Sequence, residues 1–598
     1  MHTMVQTNLG IHYYTGAGAY AGCSYCCVKG EYCHPLDKMV YLQHRAFLPS
    51  IDALRSDSEK FPSKSVPDSP PEMKTMEFVD RYNAKLSAPS TSSEHKTNIR
   101  ESGCTGSYSL RSLPNHDRHL NTPVEPMHCI KNVAERLIKL LSGTTDTVKV
   151  RMAEQQYNRF RSAWVKTILK NGKQTLHTPP APFSLQREGV ITANSRAMCI
   201  RAPSGVDWKP CHLFGKSTGQ LNSNQWKHVL SSGILKYCIR GLLEPDQRST
   251  LMELCDVMQL LTAEAVHLQD LDAVEYRVHH VLSLLERDFP IAIHVITLHL
   301  LHHLPMYLKR FGPTYGFWMY PMERFNSWIS RRILNRRFPE SNVMETYRIF
   351  EFTFFLQISG QLPSGSTTDI STQTTFENEN EGVQASEVLC MEDIPREHGS
   401  SAVLESSSVK DLISFYCSMY PEYAQLLSRY KKEKSRAKRK GRVEHYPPLS
   451  QWSPEDGRML TESELNLREE PSCDIIQYKV YTTRDKHNRR IKYETVAGER
   501  ANSVHVSSYV QLCCTDCDGK VFGRIKSIFR HKFNGTVHTL ADMQWYESST
   551  HDRESGLMYC SLSSSNKSIP RIVSLEKLSR PLIHAVDEDK IWILNSPF

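Results

Sequence analysis

Two cysteines spaced Cys23-x-x-Cys26 lie near the start of the chain, with Cys33 and His34 a short way on. A tight turn presenting two thiolates supplies half of a tetrahedral zinc site, and a second thiolate or imidazole pair completes it. Cys23, Cys26, Cys33 and His34 are therefore the candidate zinc ligands, with Cys27 and His44 competing for the second pair. The other reading is a set of reduced, buried thiols. Cys514-x-x-Cys517 has no second pair beside it and reads as a structural turn. His299 and His303 are one helical turn apart, a spacing that chelates metal, but Leu300, Leu301 and His302 stand between them rather than the glutamate of a zinc protease. They are expected to be core or polar-edge histidines.

The second chemistry is electrostatic. Lys431, Lys432, Lys434, Arg436, Lys438, Arg439, Lys440 and Arg442 form the densest charge cluster of the chain. Such a run neutralises several phosphates and releases their counterions, which gives salt-sensitive DNA binding without sequence preference. It also has the composition of a nuclear import signal. Arg331, Arg332, Arg336 and Arg337, with Trp328 close by, either line a second phosphate-facing surface or form a solvated basic face. Glu323-Arg324 reads as a buried ion pair between helices. No phosphate-binding Gly-x-x-x-x-Gly-Lys loop and no Gly-x-Ser-x-Gly elbow occurs, so nucleotide hydrolysis and serine-esterase chemistry have no support.

The elements that must position these residues follow from composition and periodicity. The chain has 598 residues, 39% hydrophobic and 23% charged, enough for several cores. Residues 1–54 are rich in Gly, Tyr and Cys, and 55–102 read as a polar insertion without apolar periodicity. From 103 to 250 turn chemistry leads into helices, the first opening near Pro126 with Ile130, Val133, Leu137, Leu140 and Leu141 at helical spacing. Residues 251–358 are expected to be a helical domain, and the histidine-bearing stretch 291–304 is too short and polar to span a membrane. The stretch 359–408 is predicted to be a disordered linker, followed by a helix and the basic run in 409–445. Residues 473–598 alternate in short segments, with Asp518-Gly519 and Asn534-Gly535 as hairpin signals, and are expected to form a small β-barrel or β-sandwich.

Residues 1–10 lack the cationic flank and apolar run of a secretory or transit segment. With 17 cysteines, that predicts an intracellular protein with reduced thiols or metal ligands, and the basic run makes it nuclear. The net charge of +8 is mild for this length, so local clustering matters more than the total.

Several motifs occur in a recognisable order: Leu284-Leu-Glu-Arg-Asp-Phe-Pro290, Leu298-His-Leu-Leu-His-His-Leu-Pro305, Gly312-Pro313, Trp318-Met-Tyr-Pro-Met-Glu-Arg-Phe325 and Asn335-Arg-Arg-Phe-Pro-Glu340. This run resembles a domain of unknown function found downstream of the catalytic region in En/Spm (CACTA) type transposases. Upstream, residues 103–110, residues 113–117 and Glu125-Pro-Met-His-Cys129 are similar to the Gly-x-x-Gly-x-Ser, Leu-Pro-x-x-Asp and Asp-x-Met-His elements of the same transposases. Gly22-Cys-Ser-Tyr-Cys26 and Val40-Tyr-Leu-Gln-His-Arg-Ala-Phe-Leu-Pro49 resemble the family's cysteine pair and its Tyr-x-x-His-Arg-x-Phe-Leu-Pro element.

The resemblance implies a mainly α protein with a partial α/β, degenerate RNase H-like N-terminal region and a small all-β C-terminal domain. It also implies three carboxylates that would hold two divalent metal ions for phosphodiester chemistry. In this chain the first carboxylate is Glu31, beyond the cysteine pair that the first two acids should precede. The Asp-x-Met-His aspartate is Glu125, followed by His128, and the later helical acid falls on Asn224 or Gln225 ahead of Trp226. Neither amide replaces an anionic ligand. The alternative is that Glu125 and some of Asp117, Glu135 and Glu154 assemble a new site, against which acids near a helix start are usually caps and surface charges. The expectation is a catalytically inactive, transposase-derived protein with DNA as partner, no membrane, and self-association or chromatin partners through the C-terminal β-domain. The alternative is an N-terminally truncated record of a metal-dependent transposase, with magnesium as cofactor only if an intact catalytic core exists upstream.

Overall fold

Helix makes up 46% of the described residues and the C-terminal part is an antiparallel β region, so what is described is mixed rather than mainly α. The computed structural model describes residues 15–595 apart from 17, 58, 64–65, 89–90, 106–122, 171–172, 216–220, 332, 334–336, 362–398, 443–445, 486–488, 501–502, 514–520, 548, 564 and 567. Two units are present, one formed by Met1–Ala197 with Cys211–Glu379, the other by Met198–Pro210 with Asn380–Phe598.

In the first unit the Pro126–Leu141 helix begins with proline at its first turn, where the missing N–H costs nothing, and buries Ile130, Val133, Leu137, Leu140 and Leu141. The Ser223–Ser231 helix packs on it, the Pro245–Leu261 helix packs on Ser223–Ser231, and the Leu271–Asp288 helix packs on Pro245–Leu261. The stretch that follows is not one helix. It runs as a short turn at Ile291–Ile293, an α-turn at Ile296–His299, a 3-10 turn at Leu300–His303 and the Leu304–Phe311 helix, and most of its side chains are buried. Two further helices, Tyr320–Ser330 and Pro339–Ile358, bury no residue at all.

Among the described residues the strands of this unit pair as Glu31–Cys33 with Lys38–Val40 and Lys166–Lys170 with Lys173–His177. An RNase H-type central sheet is not among the described residues. The segment expected to be an aperiodic polar insertion, 55–102, contains two helices, Met76–Ser87 and Ser92–Ser102. Their starts are set by capping rather than by apolar period. Thr75 accepts from Phe78 N–H, and Thr91 and Glu94 form a reciprocal capping box.

The second unit is built on a six-stranded antiparallel sheet in the order Ile572–Ser574, Thr536–Trp545, Phe522–Phe533, Asp474–Tyr478, Ser400–Val403, with Tyr509–Gln511 also paired to Phe522–Phe533. Asn534 and Gly535, at φ 50° and 72°, turn the central hairpin, whose register closes on Phe533 opposite Thr536. That is the Asn-Gly turn the sequence predicts. Asp518-Gly519 and Cys514-x-x-Cys517 lie outside the described residues. A five-stranded sheet and a two-stranded one, Val480–Arg484 with Arg490–Glu494, also belong to the unit, and the edge strand of the former, Ile200–Arg201, pairs with His584–Asp587. A piece of the 103–250 region is thereby part of the C-terminal unit.

The stretch expected to be a linker up to 408 ends in structure, since Ser400–Val403 pairs with Asp474–Tyr478. The Ser406–Met419 and Pro421–Arg439 helices lie on the sheet, where Leu412, Tyr416, Tyr423, Leu426 and Tyr430 share a core with Phe529, Phe533 and Leu540. Tyr416 stacks on Phe533 at 4.1 Å and its hydroxyl is 2.7 Å from His531 Nδ1.

Candidate metal centre

The cysteine pair sits on a knuckle that the backbone holds rigidly. Tyr25 N–H and Cys26 N–H both point at Cys23 Sγ, at 3.3 and 3.4 Å. The other side of the knuckle is clamped to residues 72–74, with Cys27 N–H donating to Glu72 O and Lys74 N–H to Tyr25 O, each at 2.8 Å. The buried Lys74 ammonium donates to Cys23 O at 2.6 Å. Gly22 is required on the approach, because a Cβ there would lie 2.1 Å from Tyr41 Oη.

Facing these thiols are not Cys33 and His34 but His299 and His303. Cys26 Sγ is 3.2 Å from His299 Nε2, and Cys23 Sγ is 3.5 Å from His303 Nε2. One ligand atom from each of the four residues lies within 4.8 Å of every other, and all four side chains are buried. With Zn–S of about 2.3 Å and Zn–N of about 2.0–2.1 Å, the S···N edge of a tetrahedron is about 3.5 Å. The observed separations are of that size. Two sulfurs and two imidazole nitrogens are the donors that zinc prefers, and four protein ligands leave no position for water or substrate. The group is able to hold a structural zinc rather than a catalytic one.

Cys33 belongs elsewhere, in a cluster with Val40, Leu42, Ala153 and Ile291, and His34 is exposed. The other contenders have different surroundings too. Cys27 is half-buried beside the knuckle, and His44 is engaged with other histidines. His44 bonds His302 at 2.8 Å and His294 at 3.1 Å, and His302 bonds His279 at 2.8 Å. Burial holds all four of these imidazoles well below the usual histidine range, His279 and His294 to about 3, so they are neutral and can both donate and accept. Phe47 stacks on His302 at 3.9 Å, and the buried Glu286 carboxylate accepts from Gln43 N–H and His44 N–H at 3.2 and 2.7 Å. His299 and His303 thus face the cysteines, while His302 between them joins the imidazole chain.

Burial opposes ionisation of both thiols. At Cys23 the hydrogen bond from Cys26 and the two facing imidazoles outweigh it and hold the thiol well below its ordinary range, whereas burial and the Cys23 charge push Cys26 well up. Zinc binds thiolate sulfur, so metal binding displaces protons from the pair. Metal occupancy should therefore fall on acidification, read as zinc released to a chromogenic chelator during a pH titration; occupancy independent of pH would contradict this ligand set.

Residues 261–359 match the model of a domain of unknown function (DUF4218). No curated protein and no solved structure matches the chain. His299 and His303 come from this DUF4218 segment, and the cysteines lie 273 and 280 residues upstream of their partners.

The positions aligned by resemblance with catalytic acids are occupied structurally. Glu125 is the N-cap of the Pro126–Leu141 helix and is 6% exposed; it accepts from Met127 N–H at 3.0 Å, His128 N–H at 2.6 Å and, from the DUF4218 segment, Met319 N–H at 3.0 Å. Gln225 forms a capping box with Asn222, and Asn224 is half-buried in the first turn of the same helix. Glu135 pairs with Lys131 and Lys139 on the surface, and the buried Glu154 pairs with Arg159, so neither joins Glu125; Asp117 lies outside the described residues. Glu323, expected in a buried pair with Arg324, is instead 48% exposed with its carboxylate 3.3 Å from His128 Nε2, and Arg324 is exposed.

His128 also bonds Glu125 at 2.7 Å, and that bond holds the imidazole above its ordinary range. Burial works against the Glu125 carboxylate, but His128 and the backbone donors pull it below its ordinary range. The raised histidine contributes stability below its unfolded pKa that is lost as pH rises through the folded value; the depressed carboxylate contributes stability above its unfolded pKa that is lost as pH falls. Glu125→Gln should lower stability by about 2 kcal/mol near neutrality and flatten both limbs of a melting temperature against pH curve. Unchanged curvature would remove this pair from the account.

The basic run lies on the Pro421–Arg439 helix as far as Arg439, with Lys440 at its C-cap and Arg442 just beyond. The helix is anchored by Tyr423, Leu426, Leu427, Tyr430 and Ala437, while Lys431, Lys432, Lys434, Arg436, Lys438, Arg439, Lys440 and Arg442 are exposed. Lys431, Lys432, Arg436 and Arg439 line one groove together with Ser428 and Ser435. Arg331 and Arg337 are exposed at either end of the turn between the last two helices of the first unit, and Arg332 and Arg336 lie outside the described residues. No helix of the described residues is long and apolar enough to cross a membrane.

Proposed function

We propose that this chain is a transposase-derived, nucleic-acid-associated protein of En/Spm (CACTA) ancestry that has lost strand-transfer chemistry, with its N-terminal unit stapled by a structural zinc. The DUF4218 match and the ordered motifs upstream of it support the ancestry. The observation that carries the binding function is the Pro421–Arg439 helix, whose apolar face is fixed in the core of its unit while four cations line a single groove. A helix held in register presents its charges to phosphates at a fixed spacing, and that is backbone recognition without base readout. The same run is the nuclear import signal on this reading, and a fluorescent fusion lacking 431–442 should stay out of the nucleus. The degenerate RNase H-like ancestry of residues 103–250 belongs to this proposal, as does the use of Glu125 and Gln225 as caps rather than metal ligands.

A second reading rests on Glu323, the half-exposed carboxylate that meets Glu125 across His128. Were further acids supplied by sequence upstream of this chain, Glu323 would be available to a magnesium-dependent strand-transfer site. The two readings separate in one assay. Purified protein with magnesium and transposon-end DNA should give binding without nicks or joints; cleavage that Glu323→Gln abolishes would establish the second reading instead.

A further inference from the structure

The last two helices of the DUF4218 segment form a hairpin with an apolar surface and no core. Within it Phe325 stacks on Trp328, Tyr347 meets the edge of Phe325, and Trp328 meets the edge of Phe350, so an aromatic seam joins the helices. Yet Met322, Phe325, Ile349, Phe352, Phe355 and Ile358 are all exposed, with Ile349, Phe352 and Phe355 each more than 60% so. A helix that is apolar around its circumference is stable only when surrounded. Taking about 200 Å² for a whole aromatic side chain, the exposed large apolar residues of the hairpin amount to about 1,000 Å² per copy. A standard interface takes about 800 Å² from each partner.

We infer that this hairpin is a homodimer interface, in which two copies pack their hairpins into a four-helix bundle. Two helices cannot enclose a common core, whereas four can, and a twofold axis lets one self-complementary patch serve both copies. The charges suit that pairing. The Pro339–Ile358 helix carries Glu340, Glu345 and Glu351 against Arg348, while on the other arm Arg324 and Arg331 outnumber Glu323. A twofold crossing sets the acidic helix of one copy beside the basic arm of the other. Membrane insertion is a poorer occupant, since the helix is not apolar enough for a span.

Sedimentation of the full chain should give twice 68.6 kDa at micromolar concentration. The Phe352→Glu, Phe355→Glu double variant should sediment as a monomer that still melts cooperatively, because both side chains are exposed in the single chain. A photoreactive benzoylphenylalanine at Ile349 supplies a test that does not depend on that variant folding, and should crosslink one copy to the hairpin of another. A wild-type chain that is monomeric, that crosslinks only within itself, or that instead binds neutral phosphatidylcholine vesicles through this helix would overturn the proposal.

Discussion

Replacing Cys26 or His299 with alanine should release the metal and loosen both ends of the staple at once, with amide exchange accelerating in 20–48 and in 291–311. The reason is thermodynamic linkage. A ligand held at 1,000 times its dissociation constant stabilises the state that binds it by about 4 kcal/mol, and structural zinc in small peptides is worth about 10–16 kcal/mol of apparent binding energy at neutral pH. Losing it leaves two buried thiols and two buried imidazoles facing one another with no counter-charge. For a unit of this size a loss of about 4 kcal/mol lowers the melting temperature by on the order of 10 °C. Chelation of the wild type should produce the same exchange pattern, whereas Cys33→Ser and His34→Ala should leave it untouched. Exchange unaltered in both segments, in the variants and under chelation, would mean that the four residues are only core.

Reversing Lys431, Lys432, Arg436 and Arg439 to glutamate should abolish most DNA affinity while leaving the fold intact. All four side chains are exposed, and the helix keeps its anchors Tyr423, Leu426 and Tyr430. Each phosphate that is no longer neutralised takes about 0.9 off the slope of log affinity against log salt, so four should flatten the slope by about 3 to 4 and weaken binding at least about a hundredfold at low salt. Fluorescence anisotropy with an arbitrary duplex at several salt concentrations reads both quantities. A steep slope retained by the quadruple variant would assign DNA binding to another surface, such as the one around Arg331 and Arg337.

Local rules read some parts of this protein well. Asn534-Gly535 announces its hairpin because the φ > 0 requirement of the turn is met by those residue types alone. The first helix is legible from Pro126 and the apolar period after it. The metal centre is half legible: Cys-x-x-Cys carries its own turn geometry, but proximity along the chain favours Cys33 and His34, and only the tertiary fold brings His299 across from Cys26. Even His-x-x-x-His spacing could not settle the matter, since it says nothing of which thiols, 273 and 280 residues away along the chain, will face it. Glu125 shows the converse. Its resemblance to a family acid suggested chemistry, but a carboxylate directly before Pro126 at a helix start is a cap, and here it also accepts from Met319 N–H. The helices in 76–102 are hidden from a periodicity reading because threonine caps, not apolar stripes, define them.

The metal content of the purified full chain tests the central claim most directly. Native mass spectrometry with elemental analysis should find one zinc per chain, lost in Cys23→Ser and in His303→Ala and retained in Cys33→Ser and His34→Ala. A chain purified without stoichiometric zinc that also fails to take it up from a buffered zinc solution, or one that keeps zinc in His303→Ala and loses it in Cys33→Ser, would contradict the account.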